Sequence, residues 1–89
     1  MASYALIKFK INNNFSEWKQ AFYVTQPMTR KAGLIEFFHG VSNDDPQTCF
    51  VLMHVPSKEA MDAFFAEARE NVAASGHILA STEITMLTN

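Results

Sequence analysis

The chain has 89 residues and a formal net charge of −2, with charges of both signs spread along its length. Such a chain forms one domain, residues 1–89, and lacks the basic patch that nucleic acid or an anionic membrane surface requires. The single cysteine, Cys49, excludes an intrachain disulfide, and Met1–Tyr4 is too short and polar to open a signal peptide. No run is long and apolar enough to span a membrane, so a cytoplasmic protein is expected.

Tyr4–Ile11 alternates, with Ala5, Ile7, Phe9 and Ile11 on one side and Lys8 and Lys10 on the other, which predicts a half-buried strand. Asn14 is a good N-cap, and Glu17 three residues on completes a capping-box-like pair. Phe15, Trp18 and Phe22 then recur at helical spacing. Pro27 falls inside this pattern and predicts a kink or a restart there. Gly33 suits the residue just past the helix.

Leu34–Val41 predicts a second strand, and the turn-forming run Ser42–Gln47 joins it to a third, Thr48–Val55. Pairing Val41 with Thr48 sets His39 opposite Phe50 and Ile35 opposite His54, with both histidines on one face. Ser57 caps a second helix whose stripe is Met61, Phe64, Phe65, Ala68 and Val72, ending at Ser75-Gly76. Thr82–Leu87 alternates and predicts the last strand.

The order is therefore β-α-β-β-α-β. Right-handed crossovers turn it into an α+β, ferredoxin-like split β-α-β fold: an antiparallel sheet of order 4-1-3-2 with both helices on one face. The third strand is then central. It is apolar on both sides, with Cys49, Val51, Met53 and Val55 on one and Phe50 and Leu52 on the other. A strand of this kind must be covered twice. Two helices with single apolar stripes cover one face, and a second copy of the same sheet is the simplest cover for the other.

Several stretches carry a family resemblance. They are the Phe15-Ser-Glu-Trp18 opening of the first helix, its Pro27, Lys31-Ala-Gly33, the Asp44-Asp45-Pro46 turn and the Ser57-to-Phe65 run. With the order of elements, they make the chain similar to the dimeric α+β barrel superfamily, of the antibiotic-biosynthesis-monooxygenase-like and stress-responsive barrel type. The resemblance covers nearly the whole chain and implies a homodimer in which two sheets face each other. Members of the superfamily that degrade haem or oxidise polycyclic phenols place an Asn on the first strand, a Trp in the pocket and, in the haem branch, a His on the second helix. This sequence has no Asn before Asn12 on its first strand and no His on its second helix, since His77 follows it. Haem degradation is therefore not implied.

The residues that could meet a ligand are Trp18, Phe22, Tyr23, His39 and His54. The aromatics suit a pocket between helix and sheet for a flat ligand, although the same spacing serves core packing. The histidines could act as a general base or anchor a ligand, although either could simply sit at a barrel rim or dimer seam. On one face they would stand about four residues, or roughly 13 Å, apart, too far to share a metal. No metal site and no cofactor are expected. Cys49 reads as a small buried hydrophobe, and Asp44-Asp45 as part of a turn. The topology also serves RNA recognition, but the basic surroundings and aromatic signature of those modules are missing. The reading is a homodimer that binds a small apolar or aromatic ligand without established catalysis. The alternative is a cofactor-independent monooxygenase-like enzyme acting on a phenol or quinol.

Overall fold

The computed structural model describes residues 2–89. The elements are β1 (Ser3–Ile11), α1 (Phe15–Lys31), β2 (Ile35–Val41), β3 (Thr48–Val55), α2 (Lys58–Glu67), α3 (Arg69–Ala74) and β4 (His77–Thr88). The four strands form one antiparallel sheet in the order β2-β3-β1-β4, as the sequence pattern predicts. Alternation sends Ala5, Ile7, Phe9 and Ile11 of β1 and Cys49, Val51, Met53 and Val55 of β3 to the helix-covered face. Trp18, Leu34 and Met61 close the core over them.

Both predicted caps form. The Asn14 side chain accepts the Glu17 N–H at 2.8 Å and donates to the Glu17 carboxylate at 2.6 Å. Ser57 Oγ accepts the Ala60 N–H at 3.0 Å. Gly33 takes a positive φ of 89° past α1, and a Cβ there would press on the Pro56 ring at 2.8 Å.

Four details differ from the sequence-based expectation. First, α1 runs through Pro27 as one helix, so it does not restart there. Proline removes a single backbone bond, to the Tyr23 carbonyl, and Tyr23 is half-exposed, so water can serve that oxygen. Second, the helix after Ser57 breaks at Ala68 (φ −88°, ψ 7°), giving α2 and α3. Neither Gly nor Pro marks this break; Ala68 is buried at the junction.

Third, Val41 pairs with Cys49 rather than Thr48, and a bulge at Phe37 restores Ile35 opposite His54. His39 consequently faces Val51 instead of Phe50. A one-residue shift reverses a side chain's face, so His39 lies on the helix side and His54, beside Leu52, on the other. Fourth, β4 begins at His77, not Thr82. Lys8 pairs with Glu83 but Lys10 with Ile78, so β4 bulges between those pairs. The Lys10 N–H is satisfied inside the bulge by Ser81 Oγ at 2.7 Å. The run 79–81 breaks the two-residue period, which hides the first half of this strand from a pattern reading.

Candidate functional site

The first candidate site is the gap between the helices and the sheet. It is a cavity of about 70 Å³ walled by Phe9, Trp18, Phe22, Phe64, Phe65 and His77. The stripe of α1 supplies two of these rings. Trp18 is 3% exposed and packs against Phe22 at 4.8 Å and Phe9 at 5.4 Å between ring centroids. Polar tips reach the same space from Thr25, Asn71 and Ser75. A wider cleft of about 280 Å³ adjoins it under α2, α3 and β4. The two share Phe65, Val72 and His77 as their common wall.

The β4 bulge builds that wall. It lets His77 Nε2 and Thr82 Oγ1, five residues apart, meet at 2.6 Å. The imidazole stacks face to face on Phe9, with centroids 4.0 Å apart and planes 4° from parallel. Burial pushes the His77 pKa down to about 4, so the ring is neutral at physiological pH. Among the described residues its single hydrogen bond is to Thr82, which leaves the other ring nitrogen for a ligand. Gly76 precedes it with a φ of 103°, where the helix turns into the strand, and a side chain there would run into Asn13.

The second candidate site lies between α1 and β2. The Tyr23 hydroxyl is 2.9 Å from His39 Nε2, and His39 Nδ1 is 3.0 Å from a Glu36 carboxylate oxygen. In a regular strand, residues three apart point to opposite faces. The bulge at Phe37 removes one step, so Glu36 and His39 share the helix side. The rings of Phe22 and Trp18 lie 5.2 and 6.3 Å from the imidazole, so this cluster backs onto the cavity wall.

Of the residues singled out in the sequence, Trp18 and Phe22 line the cavity, and Tyr23 and His39 join in the second cluster. His54 stands apart from both on the open face of the sheet, edge-on to Tyr4 at 5.8 Å. Glu36, Thr82 and the part played by His77 are not apparent in the sequence. The adjacent Phe37-Phe38, which interrupts alternation, is the one local sign of the bulge that gathers Glu36 with His39. Cys49 is fully buried, and burial raises its thiol to about 11, so it is inert packing. Among the described residues, no three His, Cys, Asp or Glu side chains gather as a metal-holding group. No described helix is long and apolar enough to cross a membrane.

Residues 2–89 match the family model described as a domain of unknown function, DUF3764. The chain belongs to that family. No curated protein matches the sequence. Among solved structures, the DUF3764 chain is similar to a SnoaB variant from Streptomyces nogalater, a cofactor-independent oxygenase, with a TM-score of 0.70 and 12% identity over 99% of this chain and 92% of that one. It is similar to a protein from Bordetella bronchiseptica provisionally named an antibiotic biosynthesis monooxygenase, with a TM-score of 0.75 and 12% identity over 100% and 98%. It is also similar to the monooxygenase ActVA-Orf6 from Streptomyces coelicolor, solved with nanaomycin D, with a TM-score of 0.64 and 15% identity over 99% and 87%. These likenesses show the fold: the ferredoxin-like arrangement of sheet and helices is shared with antibiotic-biosynthesis-monooxygenase-like proteins.

Proposed function

We propose that this DUF3764 protein is a homodimeric binder of a small, mainly apolar or aromatic ligand, held between helices and sheet. One observation carries the reading: an aromatic-walled cavity in which a neutral, stacked His77 has a ring nitrogen unused among the described residues. Concave apolar space with a few polar tips is where small molecules bind. A gap of about 70 Å³ takes a compact group, and a larger ligand would extend past His77 into the adjoining cleft of about 280 Å³. His77 would orient the ligand by hydrogen bonding to a hydroxyl or carbonyl. Its low basicity makes it a poor proton acceptor at neutral pH.

The lone tryptophan makes the test clean. Small quinols, flavonoid-like phenols and aliphatic acids are titrated while Trp18 emission and melting temperature are followed. A ligand at a hundred times its dissociation constant adds about 2.7 kcal/mol of stability. His77→Ala should weaken that ligand about tenfold or more, the loss of one buried hydrogen bond. If no compound moves either signal, the binding reading fails.

The second reading is cofactor-independent oxygenation of a phenol or quinol. What favours it is the activity named for SnoaB and ActVA-Orf6. A bound phenol that is oxidised in air without added cofactor decides for the enzyme.

A further inference from the structure

The aromatic-walled cavity has a second outlet. Met28, Phe64, Ala68 and Asn71 wall it, and the same four residues wall a groove of about 350 Å³ between the end of α1 and the α2–α3 junction. The other outlet is the cleft of about 280 Å³ that shares Phe65, Val72 and His77 with the cavity. Three spaces therefore follow one another, wide, narrow and wide. The middle one holds only about 70 Å³ between aromatic rings. A rigid, flat ring system cannot thread such a neck, whereas a single methylene chain can.

The two outer spaces differ in charge. In the cleft, the Asp62 carboxylate is taken up by Lys58 at 2.7 Å, while Arg69 makes no ion pair among the described residues. In the groove, Lys31 and Glu67 offset one another. The cleft thus favours an anion and the groove does not. His77 and Thr82 border the same cleft as Arg69.

We propose that the ligand is an unbranched, medium-chain aliphatic monocarboxylate, with its head in the cleft and its chain running through the neck toward the groove. This assignment rests on the proposed binding of a ligand in the cavity, and it narrows that ligand to one that is aliphatic and anionic. Arg69 supplies the positive charge for the carboxylate. A carboxylate only accepts, so His77 gives it a ring N–H, while His77 Nε2 accepts the Thr82 O–H. The chain lies among Trp18, Phe22 and Phe64, where each methylene leaves water.

The test titrates hexanoate, octanoate and decanoate at neutral pH, with 1-octanol as a neutral chain and 2-naphthol as a neutral flat ring. Trp18 emission and titration calorimetry report binding. Each added methylene should tighten the acid about fourfold, the worth of one buried CH2. Arg69→Gln should weaken octanoate about tenfold, the loss of a charge-assisted hydrogen bond, and leave 1-octanol unchanged. Lys31→Gln should leave both unchanged. Arg69 and Lys31 are exposed, so both variants should keep the wild-type circular dichroism and melting temperature. Affinity that does not rise from hexanoate to decanoate overturns the proposal. So does an unchanged octanoate affinity in Arg69→Gln. Binding of 2-naphthol but of none of the acids overturns the aliphatic assignment and leaves the cavity a ligand site. Binding of no compound in either class overturns both.

Discussion

Burial turns His77 into a hydrogen-bonding group rather than a base, and this shows in the pH dependence of stability. Its pKa in the folded state is about 4, below the 6.5 of a free histidine. Between these values the unfolded chain binds the proton more readily, so stability falls as the pH drops. The contribution is fully present above about pH 6.5 and is lost by about pH 4, on the order of 2 kcal/mol after allowing for partial exposure. The urea midpoint of the wild type should fall relative to that of His77→Phe as the solution is acidified across this window. Gln26 makes an opposite case. It is 8% exposed, and its Oε1 has no hydrogen-bond partner among the described residues. A buried unsatisfied acceptor costs about 1–3 kcal/mol, so Gln26→Met should raise the unfolding free energy by roughly 1 kcal/mol. An equal or lower urea midpoint would mean that the amide is satisfied in solution.

The two bulges are the elements that make chemistry out of an otherwise regular sheet. The one in β4 brings His77 to Thr82, and the one at Phe37 places Glu36 and His39 on the same side. Each lets a strand present side chains that simple alternation would separate. Deleting Phe37 should give a regular ladder in which Glu36 and His39, now two residues apart, stay together on the helix side. The fold should survive, because the core strands β1 and β3 are untouched. Nitrogen-15 shifts of the His39 ring should then keep the signature of an Nδ1–H held by a carboxylate; its loss would refute this account of the bulge. Helix α1 depends on more ordinary chemistry. Asn14→Ala removes the acceptor for the Glu17 N–H and should cost about 1 kcal/mol, measured by chemical denaturation.

At the scale of the whole molecule, one face of the sheet is covered and the other is not. Helices bury the first, whereas Leu6, Ile35, Phe37, Phe38 and Leu87 remain 36–60% exposed on this chain. Gly40 leaves room for the Phe38 ring, which a Cβ there would meet at 2.7 Å, so the aromatic surface spreads across the edge strand. Fold relatives of this kind are commonly dimeric. An isologous pair joined through this face would cover the Tyr4, Leu6, Phe38 and Leu52 surface with its own copy. Light scattering at micromolar concentration should give twice the chain mass of 10.0 kDa. Leu52→Asp should dissociate or unfold the protein, since burying an unpaired charge costs several kcal/mol. Phe38→Asp, at a residue 57% exposed on the single chain, should dissociate the dimer and leave the circular dichroism intact. A wild-type monomer would remove self-association from the proposed function.

Much of the fold follows from residue pattern alone. The alternation of Ala5 to Ile11, the Phe15-Trp18-Phe22 stripe, the caps at Asn14 and Ser57 and the two apolar faces of Thr48–Val55 are local or short-period signals, and they determine the element order and the sheet topology. The sites were less legible. Trp18 and Phe22 could be named because a stripe must face the sheet. The face of His39, the Glu36 carboxylate behind it, and the meeting of His77 with Thr82 depend on where one extra residue, or a few, enter a strand. A bulge forms where packing against neighbouring strands and helices favours it over a regular ladder. That competition involves residues far apart in the chain, so only the tertiary structure decides it.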